Sequence, residues 1–207
     1  MRADPTGRRP AVGPRRAVLR AAAALGANAA WGTVARANDG VLPAPARDAL
    51  RAPGAIVLVR HAQTEPGIGD PPGFRLEDCA TQRNLSAAGR VQAQRLGRWL
   101  ADAGVPVAGV RSSRWCRCLE TARLAFGRVE PWPALDSFFA DRSGERAQTD
   151  QVRRWVLGAA GPQVPVGVTH QVNLTALTGE WAAMGEALVV RAERGEVRVI
   201  ARFAVPA

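Results

Sequence analysis

The sequence contains no lysine; all 28 of its basic residues are arginine. Imine chemistry on a lysine amine and a Walker-type phosphate-binding lysine are therefore excluded. Histidine is nearly as scarce, with two in 207 residues, His61 and His170. Three cysteines, Cys79, Cys116 and Cys118, allow at most one internal bridge. They form no Cys-x2-Cys pair, so their spacing suits no zinc site. Past residue 37 no stretch is apolar enough to be transmembrane.

The formal net charge of +10 invites a nucleic-acid reading, but the charge is unevenly placed. Residues 1–37 hold seven arginines against one acid, Asp4, a balance of +6. The rest of the chain holds 21 arginines against 17 acids, only +4, with no interleaving of aromatic and basic residues. A nucleic-acid partner is not expected on that basis.

The basic amino-terminal segment reads as an export signal. Arg15-Arg16-Ala17-Val18-Leu19-Arg20 opens a short alanine-rich stretch, and Val34-Ala35-Arg36-Ala37 supplies a small-x-small cleavage pattern. The paired arginines resemble a twin-arginine signal, which makes that export machinery the expected partner of the precursor. Gly26, Asn28 and Gly32 interrupt the stretch, so no stable membrane span is expected after cleavage. The expected organisation is a signal over 1–37, a leader over 38–53 and one domain over 54–207, periplasmic or secreted. An oxidising compartment makes a Cys79–Cys116 bridge an open possibility. Cys116 and Cys118 lie two apart on an expected helix and point away from each other.

Both histidines close short apolar runs. His61 ends Ala55-Ile56-Val57-Leu58-Val59-Arg60-His61, and His170 ends Val164-Pro165-Val166-Gly167-Val168-Thr169-His170. Such runs read as buried strands, which sets both imidazoles at carboxyl strand ends, the ligand-binding edge of an open α/β sheet. A long polar loop follows from Thr64 to Arg83, rich in glycine and proline; loops of that length tend to be functional. Further helices are expected from Ser86 to about Gly104, from Arg114 to Phe126, over 151–159 and from Val172 to Met184. Strands are expected at Val107–Val110, Ala187–Val190 and Val197–Ile200, the last two as a hairpin. Residues 128–150 show poor periodicity. This alternation predicts an α/β fold with three α/β/α layers and a mainly parallel sheet.

The elements carry a set of motifs in order. These are Arg60-His61-Ala62-Gln63-Thr64, then Leu85-Ser86-x-x-Gly89-x-x-Gln92-Ala93, then Ser112-Ser113-x-x-x-Arg117-Cys118-x-Glu120-Thr121-Ala122, then Thr169-His170. The set resembles the histidine phosphatase superfamily, with its phosphoglycerate-mutase-like fold, over roughly residues 55 to 180. The resemblance implies His61 as a nucleophile that takes the phosphoryl group. It implies Arg60 and Arg117 as a clamp on the phosphoryl oxygens, a task suited to planar, permanently charged guanidinium. His170 would stabilise charge on the equatorial oxygens, and Thr64 fits a hydroxyl position near the phosphate. No metal and no cofactor are implied, because the arginines supply the positive field. Arg83-Asn84 could contact substrate or cap a helix.

Three positions depart from the family pattern. Gly67 stands where an asparagine is frequent, and Gln171 stands where some members carry an aspartate. Aligning on Leu135 places Ser137 where others carry a glutamate. The proton donor for the leaving group is therefore unassigned, with Asp136 the first candidate and Glu145, Asp141 and Asp78 behind it. The expected activity is that of an exported phosphomonoester hydrolase, acting through phosphohistidine on a small phosphorylated substrate such as a sugar or envelope glycan phosphate. The alternative is a weak or inactive binder of phosphorylated ligands built on the same fold.

Overall fold

The structure, a computed structural model, describes residues 40–207. The expected signal and its cleavage site over 1–37 lie outside the described residues. No helix among the described residues is long and apolar enough to cross a membrane.

Six strands form one sheet: β1 (Ile56–Arg60), β2 (Val107–Ser112), β3 (Glu130–Pro131), β4 (Val164–Thr169), β5 (Glu186–Glu193) and β6 (Glu196–Ala204). Their order across the sheet is β3-β2-β4-β1-β5-β6. The pairs β3/β2, β2/β4 and β4/β1 are parallel, while β5 pairs antiparallel with both β1 and β6. β5 alone runs against the rest. Val57 pairs with Val166 and Arg60 with Thr169, so the neighbouring strands β1 and β4 end level. The His61 amide then donates to the Thr169 carbonyl at 3.0 Å. That register brings the two histidines to one edge of the sheet.

Among the described residues five α-helices cover the two faces: α1 (Ala44–Leu50), α2 (Ala87–Asp102), α3 (Cys116–Phe126), α4 (Glu145–Leu157) and α5 (Gln171–Thr178). Side chains alternate across a strand, and β1 shows it. Val57 and Val59 join Leu96, Trp99, Leu100 and Ala122 in one apolar core under α1, α2 and α3. Ile56 and Leu58 join Val152, Val156 and Leu174 in a second under α4 and α5. The result is the expected three-layer α/β/α arrangement.

Element boundaries differ in three places. Residues 38–53, expected as a leader, contain α1, whose Leu42, Ala46 and Leu50 are buried in the first core. Their spacing of four is helical, and prolines flank the first turn, where a missing amide hydrogen costs nothing. α4 begins at Glu145, six residues before its expected start, because its amino-terminal turns bury none of their residues and give no apolar stripe. α5 stops at Thr178 rather than near Met184, since Gly179 takes φ +78° and ends the helix in the left-handed conformation.

Two residues of the second motif have plain structural causes. A Cβ on Gly89 would sit 1.8 Å from the Gln63 carbonyl oxygen, so only glycine lets α2 approach the chain after β1. Gln92 accepts from the Gln63 amide at 2.9 Å and donates to the Val205 carbonyl at 2.6 Å. It ties the loop after His61 to the carboxyl-terminal strand.

Candidate active site

The strand-end edge opens into a cavity of about 430 Å³, a size typical of a small-molecule site. His61, His170, Arg60, Arg117 and Arg83 line its floor, with Asp70 beside them. The imidazole centroids of His61 and His170 stand 5.5 Å apart. Four residues singled out in the sequence, His61, His170, Arg60 and Arg117, thus share one cavity.

The hydrogen bonding of His61 fixes its tautomer. Nδ1 lies 2.9 Å from the Ala62 carbonyl oxygen, which can only accept, so Nδ1 carries the proton and Nε2 keeps its lone pair. No partner for Nε2 stands among the described residues. Burial, then the Arg117 charge, push the His61 pKa down to about 3, so the ring is neutral near pH 7. Thr121 supports this segment, accepting from the Ala62 amide at 3.0 Å and donating to the Arg117 carbonyl at 2.7 Å.

Arg117 is held from two sides. Its Nη1 pairs with Asp70 Oδ1 at 2.7 Å, and its Nη2 faces His170 Nδ1 at 3.5 Å. Arg60 donates to the Ala182 carbonyl at 2.8 Å and lies 5.7 Å from the Trp181 ring centre. Arg83 donates to the Thr64 hydroxyl and the Gly67 carbonyl. The Nε atoms of all three guanidiniums are buried without a hydrogen-bond partner. Three cations against one carboxylate leave the floor short of negative charge. Burial, reinforced by their neighbours' charges, lowers the pKa of Arg60 and Arg83 from the ordinary guanidinium value.

Burial, then Arg117, hold the His170 pKa well below its ordinary value. Its Nε2 lies 2.8 Å from Ser113 Oγ, and that hydroxyl lies 3.3 Å from Asp136 Oδ1. With Nδ1 facing a guanidinium that can only donate, the proton sits on Nε2 and runs His170 to Ser113 to Asp136. The thiol of Cys118 lies 3.5 Å from the same Nε2. Burial pushes that thiol up to about 12, so it stays protonated.

Two expected site residues stand elsewhere. Asp136 does not line the cavity; the Arg114 amide and guanidinium occupy its carboxylate at 2.7 Å each. Its backbone carbonyl is held as well, by Asn173 and Gln148. A carboxylate so committed is not placed to protonate a leaving group. Thr64 is buried behind the cavity wall, between Arg83 and the Met184 sulfur. Asp78 caps a short helical turn at Cys79–Thr81, Asp141 caps another, and Glu145 pairs with Arg142 at the surface.

The sequence reading missed Asp70 and Trp115. Asp70 accepts from Arg117, from the Trp115 indole at 3.0 Å and from the Arg83 amide at 3.0 Å. Burial alone would raise its pKa, but those donors outweigh burial and hold the carboxyl below its ordinary value. Its signal was its position inside a loop too long to be a mere connection. Cys79 and Cys116 form a disulfide, with Cα atoms 5.6 Å apart. The bridge fastens the same loop to α3 one residue before Arg117. Among the described residues no three His, Cys, Asp or Glu side chains are grouped to hold a metal ion.

Such a floor, cationic and carrying one free imidazole nitrogen at the ends of parallel strands, defines a site for a small tetrahedral anion. The family model of the histidine phosphatase superfamily, branch 1, matches residues 56–155, and over that stretch the chain is similar to that superfamily. No curated protein matches it. Solved structures share the fold. One is an Agrobacterium tumefaciens protein named as a candidate phosphohistidine phosphatase SixA, 20% identical, with 72% of this chain and 97% of the other covered at a TM-score of 0.51. YhfR of Bacillus stearothermophilus is 16% identical over 70% and 94% of the two chains, also at 0.51. A Thermus thermophilus protein is 23% identical over 73% and 99%, again at 0.51.

Proposed function

We propose that the chain is a phosphomonoester hydrolase that works through a phosphohistidine on His61. The observation that carries the reading is the Nδ1 hydrogen bond to the Ala62 carbonyl, which leaves Nε2 as a neutral nucleophile in a cavity lined with arginine. The match to the histidine phosphatase family model supports a phosphatase. Nε2 attacks phosphorus while the ester oxygen departs with the electron pair of its P–O bond. Arg60, Arg117 and Arg83 neutralise the phosphoryl oxygens, so no metal ion is needed. A phosphoryl dianion arriving beside His170 favours the protonated ring, whose Nδ1–H then donates to an equatorial oxygen while Nε2–H stays on Ser113. A water oxygen then replaces Nε2 on phosphorus, Nε2 recovers its lone pair, the water's proton passes to solvent, and inorganic phosphate leaves.

The second reading is a phosphate-ligand binder of the same fold. It is favoured by Asp70 being the only carboxylate among the described cavity-lining residues, and that carboxylate is held ionised. p-Nitrophenyl phosphate separates the two, because its leaving group hardly needs a proton. Turnover that disappears in His61→Ala supports the hydrolase; phosphate binding without turnover supports the binder. Export through the twin-arginine route, to the periplasm or beyond, is part of the proposal. The Cys79–Cys116 bridge supports it, since disulfides persist in oxidising compartments.

A further inference from the structure

The cavity changes character from floor to mouth. Above the arginines and histidines, its lining includes Ile68, Phe74, Trp115, Phe139, Val172 and Met184. Ile68 is 92% exposed and Phe139 is 61% exposed, so neither serves the core. Phe139 stands against the backbone next to Ile68: a Cβ built on Gly69 would lie 3.8 Å from the Phe139 ring. Phe74, Trp115 and His170 continue the apolar wall downward, with ring centres 5.9 Å and 5.4 Å apart in turn.

The mouth offers few polar side chains, and each is partly engaged. Ser137 accepts from the Phe139 amide, and Gln171 donates to Thr175. Asp70 is taken by Arg117, Trp115 and the Arg83 amide. A sugar in this space would exchange water for mainly apolar walls and recover few of its hydrogen bonds. A flat ring would bury the exposed side chains and stack between them.

Resting on the phosphatase reading, we propose that the preferred substrate is a small phosphomonoester whose leaving group is an apolar ring, in place of a sugar or glycan. The phosphate sits on the arginine floor and the ring lies between Ile68 and Phe139 against Phe74 and Trp115. The chemistry fits the same choice. A phenolic oxygen takes the electron pair of the broken P–O bond without help, then gains its proton from water, and the cavity holds Asp70 as an ion that cannot donate one.

Leaving-group acidity would favour aryl esters in any phosphatase, so the test uses two alkyl esters whose alcohols are of similar acidity. Benzyl phosphate and glucose 6-phosphate are compared by kcat/KM, with p-nitrophenyl phosphate as the reference activity. The benzyl ester is expected to lead by about tenfold or more, the scale of a hydrophobic-pocket contact. In the Ile68→Ser/Phe139→Ser double variant, with both positions outside the core, that ratio is expected to fall to about threefold or less. Turnover of p-nitrophenyl phosphate with a wild-type ratio near one, or a ratio unchanged in the double variant, overturns the ring preference alone. No turnover of any ester by folded protein overturns the phosphatase reading and the ring preference together.

Discussion

The Asp70 carboxylate lies 2.7 Å from the Arg117 guanidinium, and both side chains are almost wholly shielded from water. Asp70 therefore occupies a donor that a phosphoryl oxygen needs. Asp70→Asn keeps an acceptor in place and removes the competing charge. The variant is expected to bind orthovanadate roughly tenfold more tightly, the scale of one charge-assisted hydrogen bond. Its melting temperature without ligand should fall, because a buried cation loses its partner. Saturating phosphate should then raise it more than in the wild type. An equal phosphate shift in both proteins would mean that Asp70 and the anion do not compete.

The serine between His170 and Asp136 is expected to matter for rate. Ser113→Ala removes the group that fixes the His170 tautomer, and should lower kcat on p-nitrophenyl phosphate by roughly tenfold, about one hydrogen bond. Nitrogen-15 NMR should show the His170 tautomer ratio changed. Asp136→Asn should act in the same direction, equally on good and poor leaving groups. A general acid at Asp136 would give the opposite pattern, sparing p-nitrophenyl phosphate and slowing alkyl esters.

Stability should depend on pH through the two histidines. An unfolded histidine titrates near 6.5, whereas folded His61 is held at about 3 and His170 well below its ordinary value. Below about pH 6.5 the unfolded chain therefore binds protons that the native chain refuses, and stability falls as pH falls. The contribution is complete above that value. Each histidine adds at most about 1.4 kcal/mol per pH unit between roughly pH 4.5 and 6.5. Urea unfolding across this range checks it, and His170→Gln should flatten the slope. A wild-type slope of zero would contradict the buried, neutral state of both rings.

The Cys79–Cys116 bridge closes a loop with a sequence separation of 37 that carries Asp70's neighbours to the start of α3. Replacing both cysteines by serine is expected to cost about 2–4 kcal/mol in urea unfolding. Thiol titration of the denatured, oxidised protein should find Cys118 alone. Three free thiols would contradict the bridge.

What could be read in the sequence follows from what carries local signal. β1 and β4 are continuous apolar runs, so both their existence and the histidines at their ends were legible. Arg117 was legible because Ser112-Ser113, Arg117 and Thr121-Ala122 stand at the spacing of the family motif, from the end of β2 into α3. Asp136 misled because adjacency to Leu135 does not say which way a side chain turns. Arg114, Asn173 and Gln148 decide that, from three other segments. Asp70 was silent for a similar reason: the path of a glycine- and proline-rich loop is set by contacts with the start of α3, the bridge to Cys116 and the Trp115 indole, not by local propensity. α1 was hidden by prolines at a helix start, and the end of α5 by Gly179, whose left-handed conformation leaves no mark in the sequence.

The most direct test is a crystal structure of the protein soaked with orthovanadate. A vanadium atom is expected bonded to His61 Nε2 in trigonal-bipyramidal geometry, with Arg60, Arg117 and a protonated His170 on its equatorial oxygens. Vanadate bound elsewhere, or held by the arginines with His61 Nε2 out of bonding range, would contradict the phosphohistidine reading.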